Sequence, residues 1–143
     1  MYDVQGVFKV KYFPSVNSMY ILAHRRKCMN PECVAIREHA FSQMSKVDVG
    51  ATVPDKVKLS LELGFYLHTS LGRKDLDNCL KFIIDTLSQY YGFNDNRVYS
   101  IKTYKRALVG SEEDLLFYRI KEDVSADQKL DMETLIGKFG VQK

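Results

Sequence analysis

Gly72-Arg73-Lys74-Asp75-Leu76-Asp77-Asn78-Cys79-Leu80-Lys81 opens a helix, and Gly92-Phe93-Asn94-Asp95-Asn96-Arg97-Val98 turns the chain out of it. At about 100° per residue from Asp77, Leu76, Leu80, Ile83, Leu87 and Tyr90 share one arc. Asp77, Lys81, Asp85 and Ser88 share the opposite one. The first arc reads as a core-facing stripe and the second as a polar strip. An acidic pair at i, i+2 does not share a face inside a regular helix. Asp75 and Asp77 converge only if Asp75 is still extended and Asp77 sits at the N-cap or in the first turn. Free N–H groups and the positive dipole end favour anions there.

Strands flank this helix. Val57 to Phe65 alternates cleanly, with its odd positions facing a core. Val98 to Lys105 and Leu115 to Lys121 make two more strands. Upstream, Val4 to Phe13 reads as a first strand, with Val4, Gly6, Phe8, Val10 and Tyr12 on one face and Pro14-Ser15 at its end. Glu32 to Lys46 reads as a helix with Pro31 at its start, though Val34, Ile36, His39, Ala40 and Phe41 give it only a modest apolar face. Ser125-x-x-Gln128 is a capping-box pattern for a last helix that Gly137 stops, with Leu130, Leu135, Ile136 and Phe139 to bury. The order β-α-β-α-β-β predicts an α+β fold, a two-layer sandwich of a mixed sheet with its helices packed on one side. Residues 1–124 form its body, and 125–143 a C-terminal helical extension of the same domain.

The composition is that of a soluble protein. A chain of 143 residues is one domain that can bury a core without staples. With 45% apolar and 27% charged residues it matches ordinary globular usage. No apolar run approaches the length of a membrane span and no signal sequence is evident, so a cytoplasmic location without membrane contact is expected. Three cysteines, an odd number, argue against a disulfide framework. Charge is unevenly spread. Residues 112–143 hold eight Asp/Glu against five Lys/Arg, which leaves 16 Lys/Arg and 10 Asp/Glu, a net +6, in the first 111. A basic body suits a polyanionic partner. The cluster His24-Arg25-Arg26-Lys27 falls in an expected loop, where it either stays solvated or contacts phosphates. His24, Cys28, Cys33 and His39 do not have the usual spacing of zinc ligands, and a helix would turn Cys33 and His39 about 240° apart. There is no internal repeat, P-loop or Ser-His-Asp signature.

Three aspartates and a lysine suit a hard divalent cation such as Mg²⁺, which takes one or two carboxylates together with water and phosphate oxygens. Lys81, one turn from Asp77, could hold a phosphate beside that ion. The same spacing equally suits a capped helix, with Lys81 paired to Asp77 and Asp85 and with Asp95 serving a turn. Spacing alone leaves both readings open.

Asp75-Leu76-Asp77-Asn78-x-x-Lys81-x-x-x-Asp85-x-Leu87, then Gly92-Phe93 and Asn94-Asp95-Asn96-Arg97-Val98, resembles the RusA family of Holliday-junction resolvases. That family's pattern is an arginine- or lysine-led D-L-D-N-x-x-K helix followed by G-x-x-x-D-D-x-x-[VI]. Pro14-Ser15-Val16-Asn17-Ser18-Met19-Tyr20 resembles its P-S-x-N-x-x-Y opening. The resemblance covers residues 4–122. It departs where Asn94-Asp95 stands for D-D and where the connection is one residue shorter. It implies Asp75, Asp77 and Asp95 as metal ligands and Lys81 as the catalytic or phosphate-contacting lysine. Mg²⁺ is the implied ion, with Mn²⁺ as the alternative, and the implied assembly is a homodimer. The expected DNA contacts are Arg25, Arg26, Lys27, Arg73 and Lys74. The implied activity is an endodeoxyribonuclease that resolves four-way DNA junctions in recombination and repair by paired symmetric nicks, a task suited to a two-fold enzyme. A branched-DNA or flap nuclease on the same scaffold is the alternative within the class. A junction-binding protein without catalysis is the alternative outside it.

Helix length adds an expectation about assembly. From Asp77 to Tyr90 the helix runs roughly 20 Å, which sets Asp95 far from Asp75 and Asp77, whereas ligands of one Mg²⁺ all lie about 2.1 Å from it. Asp95 of one subunit is therefore expected to complete the site begun by Asp75 and Asp77 of the other. Phe82, about 140° from Asp77 and outside the core arc, is expected near the dimer axis.

Overall fold

The computed structural model describes residues 1–23, 26–47, 52–69 and 75–140, and leaves the side chains at 22, 23, 26–28, 46 and 47 outside that description. Four strands, β1 (Asp3–Val10), β4 (Leu59–Leu67), β5 (Val98–Ala107) and β6 (Asp114–Glu122), form one sheet in the order β1-β6-β4-β5. β6 lies antiparallel between β1 and β4, with Gly6 opposite Tyr118 and Leu63 also opposite Tyr118. β4 and β5 are parallel neighbours. A parallel pair needs a long crossover, and helix α2 (Leu76–Tyr91) supplies it. Leu59, Leu61, Leu63 and Phe65 of β4 are buried, as the alternation predicts, and with Leu67 they join Phe8, Val10, Leu116, Tyr118 and Ile120 in one core. Helix α1 (Pro31–Val47) and α2 cover that face, so the fold is α+β with its main helices on one side of a mixed sheet.

A small hairpin corrects the expected element order. Between β1 and α1, β2 (Tyr20–Ala23) pairs antiparallel with β3 (Arg26–Met29). The run Tyr20-Ile21-Leu22 has the β-branched and aromatic character of a strand, and the ladder from Tyr20–Met29 to Ala23–Arg26 satisfies backbone groups that a loop would leave to water. Arg26 and Lys27 therefore stand on a strand, while His24 and Arg25 lie outside the described residues.

On both main helices the buried face overlaps the expected one only in part, at Ile36 and Ala40 of α1 and at Ile83 and Leu87 of α2. On α1 the buried row is Cys33, Ile36, Arg37, Ala40 and Met44, while Val34 and His39 are exposed. That row has regular helical spacing, but an arginine in its middle hides it from an apolar count. On α2 the buried set is Cys79, Phe82, Ile83, Thr86, Leu87 and Tyr91. Leu76, Leu80 and Tyr90 only pack at its edge. The stripe is wider than a sheet alone would require because α1 closes over the Phe82–Thr86 side. Phe82 is fully buried, not poised at a dimer axis. Burying such a side chain is worth roughly 1.5–3 kcal/mol, and Arg37 of α1, rather than a second subunit, lies over its ring.

Two anchors set α2 on the sheet. Tyr91 and Tyr118 share a hydroxyl–hydroxyl hydrogen bond of 2.6 Å through the core. Gly6 makes room for it, since a Cβ there would lie 2.5 Å from the Tyr118 hydroxyl oxygen. At the helix exit Gly92 takes the left-handed conformation (φ 73°), and its N–H donates to the Ser88 carbonyl.

The last helix, α3, begins later than the capping box suggests. Ser125 and Gln128 close a turn instead: the Asp123 carboxylate accepts from the Ser125 N–H at 2.9 Å, and the Ser125 carbonyl accepts from Gln128. α3 spans Met132–Phe139, is capped by Asp131 and stops at Gly140, so Gly137 lies inside it. None of its residues is fully buried, and Leu130 and Phe139 are exposed. Among the described residues no helix is long and apolar enough to cross a membrane.

Candidate functional site

Asp75 is the N-cap of α2 and is extended (φ −83°, ψ 131°), with Asp77 in the first helical turn. This is the arrangement that lets an i, i+2 pair converge. A capping aspartate normally accepts from an N–H two or three residues on. Asp75 does not: its side chain makes no capping bond, and its backbone carbonyl accepts from the Asn78 N–H at 3.2 Å. The Asp77 carboxylate accepts from the adjacent Asn78 N–H at 3.0 Å. Both side chains belong to exposed residues.

Lys81 stands one turn further along, half-exposed, and donates to the Asp85 carboxylate at 3.2 Å rather than to Asp77. That hydrogen bond, followed by the Coulomb attraction of Asp85 and weaker attraction from Asp95 and Tyr20, raises its pKa above the usual lysine value. Asp95 thus lies within electrostatic reach of Lys81. Asp95 opens a 3-10 turn, Asp95–Arg97, but Asn94 caps it by accepting from the Asn96 N–H. The Asp95 carboxylate is therefore not spent on the turn. Among the described residues, no hydrogen bond or ion pair engages the side chain of Asp75 or Asp95.

The N-terminal motif comes to the same helix. Val16–Ser18 forms a 3-10 turn against α2, closed by the Ser18 N–H on the Ser15 carbonyl at 3.1 Å. Asn30 ties this turn to α1: its N–H donates to the Met19 carbonyl at 2.7 Å and its amide to the Ser18 carbonyl at 3.2 Å. The Asn30 side-chain oxygen also accepts from Glu32, capping α1 just ahead of Pro31. Tyr20, the next residue of the motif after Met19, lies within the electrostatic reach of both Lys81 and Arg37.

Two residues escape a reading of the sequence. Arg37 is only 6% exposed, and its Nε–H donates to the Thr86 hydroxyl at 3.0 Å. Its guanidinium lies 5.0 Å from the Phe82 ring centroid. Burial lowers its pKa, opposed first by Asp85 and then by Tyr20 and Cys33. The one signal for it is a cation in the middle of an i, i+3, i+4, i+7 row. His68, just beyond β4, donates its backbone N–H to the buried Asp114 carboxylate at 2.9 Å, and its Nδ1 lies 2.6 Å from the same oxygen. This pair pins the exit of β4, from which the chain runs on to α2. Nothing in the sequence places Asp114 opposite it.

Of the remaining expected positions, Arg25, Arg73 and Lys74 lie outside the described residues, and Arg26 and Lys27 are described only as backbone of β3. Cys33 is buried, its thiol directed to the Ser18 carbonyl at 3.8 Å, whereas His39 is exposed and lines a cavity with Lys11, Glu32 and Glu113. The two point apart, as their helical spacing implies. Asp75, Asp77 and Asp95 are not gathered into a three-ligand group within one chain, and the described residues hold no other such group. Asp75 and Asp77 do offer the hard oxygen donors that Mg²⁺ takes with water and phosphate oxygens. No protein-family model matches the chain, and no curated protein matches it.

Proposed function

We propose that the chain is a Mg²⁺-dependent, structure-specific endodeoxyribonuclease of the RusA type that resolves four-way DNA junctions as a homodimer. One observation carries this reading: at the start of α2 the N-cap side chain makes no capping hydrogen bond and stands beside a second acid, one turn ahead of a lysine. A residue selected only to cap would close on an N–H.

On this reading Asp75 and Asp77 hold the ion, and Asp95 of a second subunit completes its shell. Bound there, Mg²⁺ would supply an activated water and neutralise charge on the phosphate. Lys81 donates to a non-bridging phosphate oxygen as negative charge builds on it. Hydrolysis leaves 5′-phosphate and 3′-hydroxyl ends, and two sites related by a dyad nick opposed strands. Arg25, Arg26, Lys27, Arg73 and Lys74 hold the arms by their phosphates, which requires no base recognition.

The test is a supercoiled plasmid carrying an extruded cruciform, incubated with protein in Mg²⁺ or in EDTA. Nicked and linear products in Mg²⁺ alone are expected. Cleavage confined to flap substrates would move the activity to the branched-DNA alternative. A gel shift with no cleavage in Mg²⁺ or Mn²⁺ would overturn the enzyme reading in favour of a junction binder.

A further inference from the structure

Arg37 is a buried cation, and among the described residues no anion is in contact with it. Its Nε–H is used by Thr86, whose hydroxyl in turn donates to the Phe82 carbonyl at 2.7 Å. Its guanidinium covers the Phe82 ring. Its Nη2, however, is buried with no hydrogen-bond partner. An unpaired polar group of this kind is costly, more so when it carries charge. The acid that bears on it most is Asp85, adjacent to Thr86, whose charge is the first to oppose the effect of burial on Arg37. Asp85 instead accepts from Lys81 on its other side. One carboxylate thus acts on two cations and pairs with Lys81, the side chain of Lys81 being 47% exposed and that of Asp85 19%.

This arrangement bears on the phosphate contact of Lys81, which is taken from the function proposed above. A lysine paired to a carboxylate is a poor phosphate ligand until the carboxylate releases it. We propose that Arg37 is a positioning residue that takes over Asp85 when a phosphate oxygen reaches Lys81. Asp85 swings from the Lys81 ammonium to the free Nη2 of Arg37. Lys81 then faces the phosphate with its charge uncompensated, and Arg37 gains the partner it lacks. No proton moves, since a guanidinium keeps its charge and the carboxylate only changes partner. Thr86 and Phe82 hold the guanidinium in place, so the group that moves is Asp85.

Inorganic phosphate is a sufficient probe, which keeps the test independent of cleavage. In wild type, titrating phosphate should shift the NMR signals of the Lys81 ammonium and of the Arg37 guanidinium together. In Asp85→Asn the Lys81 response should persist and the Arg37 response vanish, because no carboxylate is left to hand over. Arg37→Met should weaken phosphate binding at Lys81 by about tenfold, the scale of one charge-assisted hydrogen bond. Adding Asp85→Asn to that variant should restore it, whereas Asp85→Asn alone should change binding little, since Arg37 already takes the carboxylate from Lys81 in wild type. Arg37 signals that stay unmoved while Lys81 responds in wild type would overturn the proposal, even if Arg37→Met fails to fold. So would a folded Arg37→Met/Asp85→Asn protein as weak as Arg37→Met. Should the cruciform plasmid survive Mg²⁺ while the paired NMR response is present, the nuclease reading falls and the exchange stands.

Discussion

Two helices of this protein begin with an aspartate at the N-cap, and the two are used differently. At α3 the Asp131 carboxylate closes on the Thr134 N–H at 2.7 Å, and that bond holds its pKa below the usual aspartate value. At α2 Asp75 has the same extended backbone but its side chain makes no capping hydrogen bond. The short, exposed α3 buries no residue fully and depends on its cap, whereas α2 is held by its core side and can do without one. A helix secured by packing has its start free for another task.

The strongest way to break this comparison is at α2. Asp77→Asn should reduce junction cleavage in Mg²⁺ at least about 100-fold, more than the loss usual for a group that only supports a ligand. Binding should be unchanged or tighter, because a negative charge near phosphate is removed. A rate near wild type in the plasmid assay would return Asp77 to the role of a helix-start acid.

Sharing of the site between subunits is the next largest effect. Asp75→Asn and Asp95→Asn proteins, unfolded and refolded together, should regain nicking without full resolution, since each heterodimer regenerates one intact centre. A mixture as inactive as its parents would place all ligands in one chain.

A smaller effect is expected at the basic cluster. Replacing Arg25, Arg26 and Lys27 with Ala should weaken junction binding and flatten its salt dependence, by about 0.9 in log–log slope for each phosphate left unneutralised. An unchanged slope would turn the cluster away from DNA.

The smallest effect belongs to α3. Its capping aspartate has a lowered folded-state pKa, so its contribution is present above the ordinary aspartate value and is lost as pH falls through the folded value. Asp131→Ala at neutral pH should mimic that loss, speeding amide exchange over 132–139 and leaving cleavage untouched. Slower cleavage in that variant would tie α3 to the site and spoil the contrast.

The alternation of β4 and the polar strip of α2 are legible in the sequence because each repeats at the period of its element. The Asp75–Asp77 geometry is legible too, as a condition that the helix start then meets. The α1 face is not, because Arg37 occupies a core position that a hydrophobic pattern counts as surface. Phe82 is misread for the same reason: with the α1 face unseen, its burial has no owner but a second subunit. The pairing of β2 with β3 escapes because the basic run 24–27 reads as a loop by charge while the two strands are four residues each. The start of α3 is misread because Ser125-x-x-Gln128 matches a capping box, whereas these residues close a turn beside Asp123.

The order of strands has a consequence for how the chain is made. β6 is the last strand in sequence, yet it sits between β1 and β4, with Asp3 opposite Lys121. On a ribosome, β1 emerges first and has no neighbour in the sheet until residues 114–122 appear. β4 and β5 can form their parallel pair earlier, around α2, but one edge of β4 stays open until then. Pairing across nearly the whole chain is slow to find, and an unpaired strand edge invites another chain. A nascent chain stopped just before Asp114 would hold a finished α2 beside an unfinished sheet, making the interval before β6 arrives the time at which this protein is most exposed to aggregation.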